Sequence, residues 1–194
     1  GGNNNTNRGQ QGFIGAGQCN CNCGTRGVIV GGFANCVTSS SSTENVIVGG
    51  NRNCICGIAR NAIVNGSFNC ILNNSCCSLI GNGCLNKMDA AYSSIVNGEC
   101  NSICTCGTGL GFKKPVYVTI LNGCRNCICA DNCCSTILNG CGNQILNDAC
   151  RGLIGGGSGN TIMCSCESTI LNGSINTQCG CSSFIAGGTL NLIK

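Results

Sequence analysis

The sequence has no histidine and no tryptophan among its 194 residues, and only one proline. Without histidine the chain lacks the side chain most often used as a general base near neutral pH, and the commonest metal ligand. Charged side chains fill only 8% of positions and aromatic rings 4%, where a soluble domain usually carries about 25% charge. A core must therefore be built from Ile, Val, Leu and small side chains. The ten basic residues are scattered, with Lys113-Lys114 the nearest approach to a cluster. The net charge of +4 thus leaves no footprint for nucleic acid. No apolar run approaches the roughly 20 residues of a membrane-spanning helix, so membrane insertion is not expected. The six acids, Glu44, Asp89, Glu99, Asp131, Asp148 and Glu167, are dispersed along the chain. Catalytic sets need titratable groups that converge; none is visible, so neither an enzyme nor a cofactor is expected.

What is present is one phrase repeated eleven times. It starts at Ile14, Ile29, Ile47, Ile63, Ile80, Ile95, Ile120, Ile137, Ile154, Ile170 and Ile185. A Gly follows three residues after each Ile, from Gly17 to Gly188. An Asn follows six residues after: Asn20, Asn35, Asn53, Asn69, Asn86, Asn101, Asn126, Asn143, Asn160, Asn176 and Asn191. The eighth residue is apolar in every copy except at Asn22 and Gln178. Successive Ile residues are 15, 18, 16, 17, 15, 25, 17, 17, 16 and 15 apart. A fixed period identifies a repeat architecture, and helical repeats need 30 or more residues per unit. Gly, Asn, Ser and β-branched residues favour strands and turns over helix. The fold class expected is all-β, a single parallel β-solenoid or β-roll of about 11 coils, each of about 16 residues.

Eight is half of sixteen, so the Ile column and the eighth-residue column face each other across a thin core. The Gly permits a backbone turn closed to other residues. The Asn column is expected to stack at a corner as a ladder, each amide donating to the next coil and satisfying exposed backbone groups. At about 4.8 Å per coil, eleven coils give a rod about 50 Å long. Residues 12–194 form this solenoid. Residues 1–11 are polar, lack strand patterning and read as an N-terminal arm. The coil from Ile95 to Ile120 is longer than the rest, which predicts an external loop at about 104–119.

The phrase S-x-I-x-[GN]-G-x-x-N-x-I is carried by Ser168-Thr169-Ile170-Leu171-Asn172-Gly173-Ser174-Ile175-Asn176. It recurs in Leu153-Ile154-Gly155-Gly156-Gly157-Ser158-Gly159-Asn160-Thr161-Ile162. It resembles the repeats of the β-roll heads of trimeric autotransporter adhesins, and is similar to fibre repeats of phages and giant viruses. The resemblance implies an extracellular or virion-surface fibre. This chain departs from those families in its cysteine content and in having no heptads for a trimeric stalk.

Cysteine occupies 24 positions, a density typical of disulfide scaffolds in oxidising places. Cys21, Cys36, Cys54, Cys70 and Cys127 lie seven residues after an Ile. Cys23, Cys56, Cys104, Cys129 and Cys179 lie nine after. Strand alternation puts both sets on the face opposite the inward eighth residue. A third column, Cys76, Cys133, Cys150, Cys166 and Cys181, lies four residues before the next Ile. Stacked Cα atoms about 4.8 Å apart are within disulfide range. The disulfide candidates are Cys21, Cys36, Cys54, Cys56, Cys70, Cys76, Cys104, Cys124, Cys129, Cys133, Cys141, Cys150, Cys166 and Cys181. Pairs such as Cys36–Cys54 or Cys133–Cys150 would close loops worth about 3 kcal/mol each. Connectivity is not fixed by sequence. Metal binding is the lesser reading, because structural sites favour C-x-x-C pairs and often His; no metal is expected.

Identical repeats with open sheet edges suggest a filament subunit whose partners are copies of itself, stacked head to tail and fastened by disulfides outside the cell or on a spore or virion surface. The C-terminal coil stays on pattern to Asn191-Leu192-Ile193-Lys194, with no atypical cap. The rival reading is an adhesin or receptor-binding fibre head. An ice-binding solenoid needs a regular outward Thr array, and Thr precedes the Ile only at Thr119, Thr136 and Thr169.

Overall fold

The computed structural model describes residues 1–38, 44–73, 75–104, 115–129 and 131–194. It divides into two compact units, Gly1–Tyr92 and Ser93–Lys194. Both are parallel β-solenoids, with about eleven coils between them. The described residues contain no helix, and hence none long and apolar enough to cross a membrane.

Each coil contributes two short strands of two or three residues, one to each of two sheets. In the first unit the first sheet sets Ile14, Ile29, Ile47, Ile63 and Ile80 in parallel register. The second sheet sets Asn7, Asn22, Val37, Ile55, Ile71 and Met88 in register. In the second unit Ile95, Ile120, Ile137, Ile154, Ile170 and Ile185 form one column. Ile103, Ile128, Ile145, Ile162, Gln178 and Ile193 form the other. Ile29 through Ile170 in the first column have no exposed surface, and Ile185 is 5% exposed. The core is therefore an aliphatic layer, as the sequence predicts from its shortage of rings.

The two polar residues in the eighth-residue column behave differently. Asn22 is buried but satisfied: it donates to Gly27 O at 2.7 Å and Asn7 Oδ1 at 3.1 Å, and accepts from Gly24 N–H at 3.2 Å. Gln178 is fully buried, and neither atom of its amide has a hydrogen-bond partner among the described residues.

At the corner the Gly residues of the repeat have φ between +84° and +105°, outside the region other residues adopt readily. A Cβ on Gly50 would overlap the carbonyl oxygen of Gly66 and the amide of Asn53. The two columns thus require each other. Asn53 N–H donates to Asn35 Oδ1 at 3.0 Å, and Asn69 N–H to Asn53 Oδ1 at 3.0 Å. The Asn53 amide donates to Gly49 O at 3.0 Å and Gly66 O at 2.9 Å. The second unit repeats the set, as at Asn143 with Asn126 Oδ1 and Gly157 O. Each amide thus donates to the next coil as expected, and the ladder gains a second set of bonds, in which the side-chain oxygen accepts from the next Asn backbone N–H; amide-to-amide rungs occur at Asn20–Asn5, Asn176–Asn160 and Asn191–Asn176.

The structure also corrects the reading of residues 1–11 as a separate arm. Thr6–Asn7 pairs with Cys21–Asn22. Gly2 has φ +94°, and Asn5 Oδ1 accepts from Asn20 N–H at 2.9 Å. These residues are half a coil on pattern. Most of the predicted 104–119 loop lies outside the described residues. A second buried polar corner, two residues before the Ile, is unanticipated. There Asn61 N–H donates to Asn45 Oδ1 at 2.9 Å, and Ser135 Oγ to Ala149 O at 2.8 Å.

Candidate functional site

With acids dispersed and histidine absent, the chemistry-bearing groups that the fold brings together are thiols. Short strands in parallel register place like positions above one another, so cysteines 15 to 18 residues apart in sequence become neighbours. In the first unit Cys21, Cys36, Cys54 and Cys70 are successive Cα partners. Each precedes an inward residue and is half-buried, so the expected outward face is only partly open. Two residues on, Cys23 and Cys56 return to the same face: Cys21 and Cys23 sulfurs are 3.8 Å apart, and Cys54 and Cys56 sulfurs 3.5 Å. Thr38 Oγ1 donates to Cys56 Sγ at 3.0 Å. Lys87 follows Cys70 in the same column.

Crowding splits the acidities. A hydrogen bond with Cys54 lowers Cys36 to about 6, against the opposing effect of burial. The same neighbour lowers Cys70 to about 7, with help from the Lys87 charge. Cys54, shared between them and desolvated, is pushed far up. Burial, followed by the Cys23 hydrogen bond, raises Cys21 to about 11. Adjacent thiols cannot all ionise, so a thiolate at one is held by a proton on the next.

In the second unit the sulfurs of Cys104, Cys127 and Cys129 lie within 4.8 Å of one another. Cys129 is 3% exposed and engaged in a disulfide. The other described cysteines are thiols. Cys124 and Cys141 stack in adjacent coils with sulfurs 3.0 Å apart. The column Cys133, Cys150, Cys166 and Cys181 also stacks. Arg151, Glu167 and Ser182 N–H donate to the carbonyls of Cys133, Cys150 and Cys166 in turn, at 2.9, 3.0 and 2.8 Å. A hydrogen bond with Cys150 is the first cause that raises Cys133 to about 11. Cys166 N–H donates to Cys181 Sγ at 3.3 Å. In the first unit Cys76 pairs with Ala59 and Ala91 rather than with another cysteine.

No protein-family model matches this chain, and no curated protein matches it either. The columns themselves must carry the argument. Thr38 and Lys87 were missed as neighbours of the thiols. Only alignment by repeat position shows them standing ninth and seventh after Ile29 and Ile80.

Proposed function

We propose that the chain is a structural subunit of an extracellular or surface filament that adds copies of itself coil to coil and is fastened by disulfides. One observation supports this reading above others: within each unit the described coils hold the next by the same bonds. The Asn rungs, the Gly turn and the aliphatic column recur with one register, so a coil of one copy is chemically a partner for a coil of another. A heterologous contact of this kind propagates rather than closes. Stacked thiols such as Cys124 and Cys141 suit covalent fastening. Each disulfide formed would release two protons and two electrons to an oxidant, which an oxidising compartment supplies. The repeat's likeness to fibre repeats of adhesins and viruses fits the same setting.

Negative-stain electron microscopy of purified protein, with and without strong reductant, tests the reading. Long unbranched filaments that shorten or dissociate under reductant are expected. Discrete single-copy particles, unchanged by reductant, would overturn it and favour an adhesin or fibre-head role.

A further inference from the structure

We propose that Cys124 and Cys141 form a dithiol site that exchanges with small zwitterionic disulfides, the class of cystine and oxidised glutathione, and closes into a bridge within one chain. The inference concerns the second unit alone and needs no filament. Cys124 and Cys141 are direct partners on adjacent coils, and Cys124 Sγ donates to Cys141 Sγ at 3.0 Å. Backbone bonds hold both residues in place. Cys124 N–H donates to Gly140 O at 2.9 Å, Cys141 N–H to Gly157 O at 3.0 Å, and Gly142 N–H to Cys124 O at 2.9 Å. Partners one strand spacing apart fall within the Cα separation that a disulfide accepts. From 3.0 Å, bond formation asks the sulfurs to approach by about 1 Å, within the reach of side-chain rotation. Neither thiol is buried, and Cys141 is exposed, so a reagent in solution reaches the pair.

The surroundings name the ligand class. A cavity of about 270 Å³ beside the pair is lined by Glu99, Cys100, Cys124 and Arg125. Sites for drug-sized molecules run to about 300–1,000 Å³, so this one suits an amino-acid-sized fragment. Cys124 stands there between a guanidinium and a carboxylate, and both charges act on its thiol. Arg125 offers a fork for the carboxylate of an amino-acid disulfide, and Glu99 an acceptor for its ammonium. In the first step the Cys124 sulfur attacks the incoming disulfide R–S–S–R, forms Cys124–S–S–R and releases one R–SH. In the second the Cys141 sulfur attacks the Cys124 sulfur, forms the Cys124–Cys141 bond and releases the other R–SH. The two cysteine protons leave on the two released thiols. The protein pair is oxidised by two electrons and the incoming disulfide reduced by two.

The test mixes the whole chain, reduced with a phosphine that is then removed, with oxidised glutathione at pH 8. Timed alkylation and peptide mass spectrometry identify the residues modified. In the unaltered protein a Cys124–Cys141 bridge within one chain is expected to close ahead of a Cys133–Cys150 bridge. In Cys141→Ser the second step is blocked, and a glutathione adduct should accumulate at Cys124. Cys124→Ser should show neither product at this corner. Arg125→Gln should slow exchange with oxidised glutathione by about two- to fivefold, the size of an exposed charge pair, and leave exchange with neutral hydroxyethyl disulfide unchanged. Closure no faster than at Cys133–Cys150, adducts spread evenly over the exposed cysteines of Cys141→Ser, or no difference between the two disulfides in Arg125→Gln overturns the site. A dimer linked through Cys124 in place of the intrachain bridge also overturns it, and leaves the filament reading standing.

Discussion

At the scale of single residues, the stack asks for side chains by what the neighbouring coil leaves room for. Gly50 has φ +90°, and a methyl group there would meet the backbone of the next coil. Gly50→Ala is therefore expected to cost about 2–3 kcal/mol, from the backbone conformation alone, with the overlap adding to it. A fall in the denaturant midpoint without a change in slope would show this; an unchanged midpoint would mean that the corner can relax. Gln178 is the opposite case. It interrupts an aliphatic column between Ile162 and Ile193 with an amide that has no hydrogen-bond partner among the described residues. Gln178→Leu keeps the approximate volume and removes the unsatisfied group. It should stabilise the second unit by about 1–3 kcal/mol, read as a higher melting temperature. Ile, Gly and Asn were legible because each is the one side chain its place tolerates. Gly2 and Asn5 follow the same rule, but were passed over because no Ile precedes them in the chain.

At the scale of the coil, corners carry much of what the sequence hid. Non-glycine residues with positive φ recur three before and five after the Ile, among them Arg60, Phe68, Tyr92, Tyr117 and Cys134, at +51° to +56°. A left-handed residue costs about 1–2 kcal/mol relative to the right-handed form. Those positions hold arginine, tyrosine, phenylalanine, cysteine and glutamate alike. Coil-to-coil hydrogen bonds impose the conformation, so local propensity leaves no signature to read. The second polar corner was equally obscure, since Asn, Ser, Gly and Val share it. The cysteine columns were legible in position, but not in chemistry. Cys133 gives the check at this scale. Its thiol, hydrogen-bonded with Cys150, titrates near 11 rather than 9, so the folded state holds that proton more tightly than the unfolded chain. The resulting stability is fully present below about pH 9 and lost as pH rises through about 11. Alkylation of Cys133 should accordingly stay slow at pH 8–9 and accelerate toward pH 11. Cys150→Ser changes the hydrogen-bonding partner and should move the profile down. An unchanged profile in that variant would show that Cys150 does not hold the proton.

At the scale of the whole molecule, parallel in-register stacking explains why charge is so scarce. Any ionised residue repeated in a column meets its own kind one coil away. Two like charges about 4.8 Å apart repel by about 1 kcal/mol even in water. A fold that repeats eleven times cannot repeat a charge without multiplying that term, which accounts for the 8% charged content better than any preference for apolar surface. Two pairs of neighbouring coils carry opposite signs at one position, although Asp131 and Asp148 stand at equivalent positions with like sign. Arg26 pairs with Glu44 at 3.0 Å, and Arg151 with Glu167 at 2.6 Å. All four side chains are about half exposed or more, so each pair contributes at most about 1 kcal/mol. Reversal of one sign isolates the effect. Glu44→Arg places three guanidinium groups, with Arg26 and Arg60, at the same position of consecutive coils, and is expected to destabilise the first unit by about 1–2 kcal/mol at low ionic strength. Since these groups face solvent, salt should restore most of the loss as the screening length falls from about 30 Å at 0.01 M to about 3 Å at 1 M. Thermal melts of parent and variant at the two salt concentrations decide the matter. A deficit that closes with salt places the constraint in like-charge stacking, and one that persists assigns it to the backbone at residue 44, where φ is +66°.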